Sequence, residues 1–423
     1  MFIQKPFSLT TSTGTGDAYV PKGAIWLDGG ADYLVRDPSS SGNRRTFTFS
    51  CWLKRSAVSG QGGTTGNNIF GGDRTGTYSD RLMFGTADDG NDYLEASFND
   101  GSSGTCKTSA VYRDPTSWMH VLWVVDTTQG TASNRVKIYV NGVEAPLNSP
   151  TYPAQDYDTY INYTENQTIG VRPGTLTQQH YGGYLSQVIL LDGTAVSTPT
   201  DFGQFDSNEV WIPIDPSGLT FGTNGFWLDF ANSSDLGNDV SGNGNDYTTN
   251  SMSASNWTYD RPADSSTTAN FCTLNSIASS TRKGGLSNGN LRASGNGKDN
   301  FSTMAIPLTG KWYFEATLTT AGATYDAVGV AEALADQMSE YGSKVVALYG
   351  SNGEKFLGSS WASYGASYTS GDVIGVYIED GQVTFYKNNA SQGTCGSAFT
   401  TQCFATTQNT NASTVWDINF GQT

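Results

Sequence analysis

Thr46-Phe-Thr-Phe-Ser-Cys-Trp-Leu-Lys54 sets Phe47, Phe49, Cys51 and Leu53 on one side of an extended chain. A period of two over this length predicts a half-buried β-strand. Cys51 is in phase with the apolar residues and is expected as a core thiol. Further along, Trp118 to Val125 is apolar on both faces, as in a central strand of a sandwich. Arg135 to Val140 alternates again, with Val136, Ile138 and Val140 on one side, and Asn141-Gly142 supplies the positive φ values of a tight hairpin turn. Tyr184 to Leu191, ending at Asp192-Gly193, is a further strand. These segments define a first β module over residues 23–205, preceded by an irregular arm, residues 1–22, rich in Thr, Ser and Gly.

The same patterning returns over residues 298–423. Lys311-Trp-Tyr-Phe-Glu-Ala-Thr-Leu318 places Trp312, Phe314, Ala316 and Leu318 on one face. Asp372 to Glu379, then Asp380-Gly381, then Val383 to Lys387 form a hairpin signature, and Val415 to Phe420 supplies a closing strand. Ala331 to Met338 is the single helical suggestion. No heptad repeat builds a coiled-coil shaft. Residues 206–297 have little periodicity: Phe226 to Phe230 is strand-like, and Asn232 to Asn250 is a run of Asn, Asp, Gly and Ser turn formers. Trp211, Trp227, Trp257 and Phe271 argue against a free linker, so this segment is expected to bridge or wrap the modules. The expected fold class is therefore all-β: two antiparallel β-sandwiches joined by an irregular bridging segment.

Composition agrees. Gly reaches 50 residues, and aromatic residues make up 12% of the chain, which suits many short strands joined by turns. Twenty-three basic against 39 acidic residues give a net charge of −16, a surface that repels a phosphate backbone. No basic amphipathic stretch points to a membrane surface, and no run approaches the roughly 20 apolar residues of a membrane span. Nucleic-acid binding and membrane insertion are thus not expected. Met1 to Phe7 lacks the features of a signal peptide, so release by cell lysis is expected rather than secretion. The five cysteines have no CxxC spacing, which argues against zinc. Cys395 and Cys403 flank a short loop and could pair if oxidised, although a chain kept in a reducing cytoplasm would hold them as thiols.

Catalytic signatures are sparse. His120 lies within a strand and is expected as a packed histidine, while His180 lies in a Gly/Tyr/Gln-rich loop; neither accompanies GxSxG or HExxH. Glycoside hydrolysis needs two carboxyl groups about 5–9.5 Å apart. Glu95, Glu315 and Glu379 are isolated in sequence, and Glu332 with Asp336 lies in the helical suggestion. Asp235 to Asp246 could hold calcium but lacks the twelve-residue pattern with a terminal Glu; no other cofactor is expected. Carbohydrate recognition needs exposed aromatic faces beside fixed polar groups. Loop aromatics fit: Tyr152, Tyr157 and Tyr160 in the first module, Tyr325, Trp361 and Tyr364 in the second. The competing reading is that they seal the sandwich ends or an oligomer interface.

Ile25 to Leu34, Phe47 to Lys54, Trp118-Met-His-Val121, Val136 to Val143 and Tyr181 to Ile189 together resemble, in order, the laminin G or concanavalin A-like family. The resemblance implies two packed, curved antiparallel sheets, whose rim loops often bind glycans or calcium. Lys311-Trp-Tyr-Phe-Glu315, Val328-Gly-Val-Ala331, Gly371 to Val376 and Val383 to Asn388 resemble a SPRY domain, a sandwich that serves as a protein-interaction platform. The ordered combination, with Gly225 to Phe230 and Asn270 to Asn275 between, resembles structural proteins of tailed phages, notably marine ones. That resemblance implies a virion surface protein. With catalytic signatures sparse, the expectation is a tail fibre or fibre-tip adhesin without enzymatic activity that binds host-surface carbohydrate, with residues 1–22 attaching it to other virion proteins. A homo-oligomer is expected by the same analogy, since fibre proteins are commonly trimers. The competing expectations are a capsid decoration or tail joint that binds only virion proteins, and a polysaccharide depolymerase.

Overall fold

The computed structural model describes residues 19–58, 67–74, 76, 78–85, 92–263, 270–277, 284–295, 298–322, 325–332, 346–358 and 360–422. They form two compact units, one ending at Thr268 and one from Ala269 onward. Apart from four single 3₁₀ turns, the regular structure among them is antiparallel strand. The all-β expectation holds. The 1–22 arm lies almost wholly outside the described residues, as do positions 333–338 of the helical suggestion; Ala331 is in a strand.

The first unit packs two eight-stranded sheets face to face. In one, Thr46–Arg55 lies between Met119–Asp126 and Gly182–Asp192, with Val136–Val140 outside Met119–Asp126. Phe47, Phe49, Cys51 and Leu53 point inward with Val121, Trp123 and Val125, against Phe70, Leu82, Phe84 and Phe98 of the other sheet. Phe49 stacks on Phe70 with centroids 4.3 Å apart and planes 4° from parallel. Phe47 meets Trp123 edge-on at 5.1 Å. The Asn141-Gly142 turn has φ of 47° and 79°, as expected.

Thr46–Arg55 is not half-buried. Every residue from Phe47 to Arg55 is buried, because a third layer covers the outer face of its sheet. Val196, Phe202, Phe221 and Trp227 pack on Leu122, Val124, Tyr139, Ile189 and Leu191, while Trp211 packs with Trp52, Trp118 and Tyr184. Residues 206–263, expected as bridge, are therefore part of the first sandwich. Phe226–Leu228 pairs with Gly182–Asp192, Thr248–Asn250 with Tyr33–Arg36, and Trp257–Thr258 with Ala24–Asp28. The turn formers let this layer fold back tightly. Asp239 Oδ1 accepts from Trp227 N (2.9 Å) and Ser241 N (2.9 Å), and Oδ2 from Ser241 Oγ (2.8 Å) and Asn245 N (2.8 Å).

Two buried polar side chains record the third layer. His120 is fully buried between the sheet and the added layer, near Trp52, Phe202 and Trp211. Its Nε2 bonds Ser50 Oγ at 2.8 Å, and burial pushes its pKa down to about 3. Lys54 and Asp260 form an ion pair with both side chains at 0% exposure. Asp260 also accepts from Trp118 Nε1 at 2.8 Å, and the ammonium lies 4.8 Å from the Tyr184 ring centroid.

The second unit also packs two sheets. Lys311–Thr320 lies between Val373–Glu379 and Val415–Asn419 in a seven-stranded sheet; a six-stranded sheet faces it. The expected closing strand is interior because Gly285–Ser287 and Arg292–Ser294 extend the sheet beyond it. These two strands, and the Leu274–Ser302 bridge, bring the described residues 270–277 and 284–295 of the expected bridge into the second sandwich. Trp416, Phe314, Val328 and Phe385 are core residues. Asp326, fully buried, ties the 410–414 loop through Thr410 N (3.0 Å), Thr410 Oγ1 (2.7 Å) and Thr414 Oγ1 (2.8 Å). Cys395 and Cys403 are separate buried thiols on different strands, and all five cysteines are unpaired.

Two predictions follow from the third layer. Lys54→Met leaves the buried Asp260 carboxylate without its cation and should cost the first unit about 3–5 kcal/mol in denaturant melts, whereas Lys54→Met with Asp260→Leu should recover most of that loss. An equal loss in the double variant would refute the pairing. His120 has a folded pKa of about 3 against about 6.5 unfolded, so its contribution is intact above pH 6.5 and lost as pH falls towards 3. The stability difference between wild type and His120→Gln should shift by about 1.4 kcal/mol per pH unit across that window. A pH-independent difference would show that His120 is not held neutral.

Candidate functional site

A cleft of about 250 Å³ opens at one end of the first sandwich, where Thr46–Arg55 ends, Met119–Asp126 begins and the Asn141-Gly142 turn closes. Its apolar wall is Leu53, Val111, Tyr112, Trp118, Met119 and Val140. Arg55, Arg113, Asp114, Ser117 and Asn141 supply polar groups. Arg55 continues the inward phase of Phe49, Cys51 and Leu53, so strand geometry sets a guanidinium where the core runs out.

A buried cation needs partners. Arg55 Nη1 donates to Asp92 Oδ1 (2.8 Å) and to the Tyr112 carbonyl (2.6 Å). Arg113 Nε donates to the other Asp92 oxygen at 2.8 Å. The Arg55 guanidinium carbon lies 4.1 Å from the centroid of the Phe84 ring. Burial lowers the Arg55 pKa and the Asp92 charge raises it; an arginine stays protonated throughout. Among the described residues, Arg55 Nε and Nη2 are buried and meet no hydrogen-bond partner. Trp118 is held by its bond to Asp260, and Asn141 Oδ1 accepts from His120 N at 2.8 Å. Asp114 Oδ1 accepts from Thr116 N at 2.7 Å and from its hydroxyl. The arrangement is an aromatic wall above fixed donors, a geometry for holding a small polar ligand.

The aromatic residues singled out in the sequence are distributed differently. Tyr152 is half-buried against the core. Tyr157 is edge-on to Phe98 at 6.2 Å and donates to Asp80 Oδ1 at 3.2 Å. Tyr160 is buried, with its backbone N–H on Asp80 Oδ2 at 2.7 Å. These rings seal a sandwich end around Asp80, whose pKa burial pushes up to about 7; they do not form an exposed platform. In the second unit Tyr325 is 47% exposed, 6.1 Å from half-buried Trp361, which leans on Phe356. Tyr364 turns inward against Tyr349 and Phe385, its hydroxyl on the Gly393 carbonyl.

The acidic candidates are engaged locally. Glu95 pairs with Lys107 at 3.6 Å, Glu315 accepts from Tyr313 at 2.8 Å, and Glu379 binds Lys311 at 3.0 Å. Glu332 accepts from Thr401 at 2.9 Å; Asp336 lies outside the described residues. Asp28 and Asp32 come together, but to close a turn: Asp28 Oδ1 accepts from Gly30 N (2.6 Å) and Ala31 N (3.1 Å), and Asp32 Oδ2 from Asp28 N (3.2 Å) and Asn256 (2.9 Å). Burial, then the Asp28 charge, raises Asp32 to about 6. His180 packs near Tyr33 at 6.1 Å. In the Asp235 to Asp246 stretch, Asp239 has both oxygens on the turn itself, and Asp246 Oδ1 accepts from Asp239 N at 2.8 Å. Among the described residues no cluster of three or more His, Cys, Asp or Glu is placed to hold a metal ion.

Residues 28–208 match the concanavalin A-like lectin/glucanases superfamily, and residues 311–423 match the SPRY domain family. No curated protein matches the chain. Among solved structures, the chain is similar to a putative carbohydrate binding protein from Bacteroides ovatus, with 18% identity over 57% of this chain and 64% of that one and a TM-score of 0.37. It is similar to a heptameric SAP-like pentraxin from Limulus polyphemus, with 16% identity over 42% and 79% and a TM-score of 0.32. A human SPRY domain aligns at 17% identity over 31% and 91%, with a TM-score of 0.26. The chain thus carries a laminin G/concanavalin A-like module followed by a SPRY domain.

Proposed function

We propose that this chain is a non-catalytic carbohydrate-binding protein on the surface of a tailed-phage particle, a tail fibre or fibre-tip adhesin. The cleft beneath Trp118 carries this reading: an aromatic and aliphatic wall, a fixed arginine floor and the Asn141 amide suit the CH faces and hydroxyls of a sugar. The first module's match to a superfamily of lectins and glucanases supports sugar as the ligand class. Between those two activities, the engaged carboxylates favour holding over hydrolysis. Among the described residues at the cleft, Asp92 is tied between two arginines and Asp114 to its own turn, an arrangement that favours holding a sugar over the acid and base pair of glycoside cleavage. The virion setting rests on the resemblance of the ordered modules to tailed-phage structural proteins. Many copies on one particle would convert weak single-site binding into firm attachment.

The purified chain should adsorb to host cells and block phage adsorption, and periodate treatment of the cells should abolish both effects. Ser117 is exposed at the mouth of the cleft; Ser117→Trp should weaken adsorption by roughly tenfold, about 1.4 kcal/mol, without lowering thermal stability. Binding to virions alone, with host cells ignored, would instead establish a decoration or joint protein. Release of reducing ends from host polysaccharide would establish a depolymerase.

A further inference from the structure

The cleft floor is more specific than a generic sugar site requires. A neutral sugar needs an aromatic face and a few neutral hydrogen-bonding groups. This cleft places two arginines on one carboxylate, with Asp92 fully buried and Arg113 half-exposed at the mouth. The acid on the lining itself, Asp114, is directed to the Thr116 turn. Arg55, with a side-chain exposure of 1%, keeps its Nε and Nη2 hydrogens without a partner among the described residues. An unmet buried donor costs stability unless a ligand meets it. Nε and Nη2 form one edge of the guanidinium fork, the geometry that a carboxylate matches with two parallel bonds.

Resting on the carbohydrate reading above, we infer that the cleft selects a sugar bearing a carboxylate, a uronic or sialic acid type, with Arg55 as the residue that reads the acid. The sugar ring lies against Trp118 and Tyr112, and its carboxylate points down to the arginines. The overall charge of −16 opposes approach of a polyanion at long range. At physiological ionic strength that field is screened beyond about 8 Å, so the arginine pair governs the contact itself.

The test uses the full chain and four acidic probes, oligosaccharides of galacturonate, glucuronate, mannuronate and N-acetylneuraminate, each beside its methyl ester. Esterification removes the charge and keeps the ring. At least one acid should bind roughly ten- to a hundredfold more tightly than its ester, the range expected for hydrogen bonds to a charged group. Arg55→Lys, which keeps the charge but not the fork, should erase most of that preference. Because an Arg55 variant can fail to fold, Val111→Glu offers a second test: Val111 is 47% exposed on the cleft rim, and an acid there should weaken the uronate without weakening its ester. Equal binding of acid and ester, or insensitivity to Val111→Glu, overturns the charge selection and leaves carbohydrate binding standing. Binding of no probe by a chain that still adsorbs to periodate-sensitive host cells also overturns it. No adsorption to cells and no probe bound would overturn both readings.

Discussion

Thr46–Arg55 ends in two adjacent cations that strand geometry sends to opposite faces, and the first unit is organised around compensating both. Lys54 points into the outer face and needs Asp260; Arg55 points into the inner face and needs Asp92. Leaving either charge buried and unpaired would cost several kcal/mol. The two pairings draw in chain segments far away in sequence: Asp260 belongs to the layer that closes over the sheet, and Asp92 to the edge of the facing sheet's Leu94–Phe98 strand. Hydrophobic burial supplies most of the driving force, but these pairs fix which segments meet at this end.

The consequence for function is a difference between the two cations. Lys54 is enclosed by Asp260, Tyr184 and Trp118 and serves the fold. Arg55 is served by Asp92 and Tyr112 through Nη1, its Nε and Nη2 meet no partner among the described residues, and the residue is part of the cleft lining. Trp118 connects the two: its indole N–H bonds Asp260 on the outer face while its ring walls the cleft. The cleft thereby sits where the ends of two central strands meet the 111–118 loop and the Asn141-Gly142 turn.

Much of the fold was legible because its signals are local. Alternation located the central strands, and Asn141-Gly142 and Asp380-Gly381, at positive φ, located two hairpins. The 206–297 stretch was less legible because its signal is not periodic: isolated large residues such as Trp211, Phe221 and Trp227 cover a sheet between turns, and spacing alone does not show what they cover. The expectation that Thr46–Arg55 was half-buried failed for the same reason, although Trp52 on its supposed wet face was a hint. The site was less legible. Tyr157 and Tyr160 looked like loop aromatics but answer to Asp80, which lies about 80 positions away. Arg55 carried a readable signal, a cation at a core phase of an alternating strand, yet its partner Asp92 is 37 positions distant.

The proposed role requires that a sugar be held, intact, in the cleft between Trp118 and Arg55. A crystal structure of the full chain soaked with the host-envelope oligosaccharide tests it most directly. Density for an uncleaved sugar against Trp118, with a polar group on Arg55, is the predicted result. Density confined to another surface, such as the Tyr325–Trp361 edge of the second unit, or a cleaved product in the cleft, would contradict it.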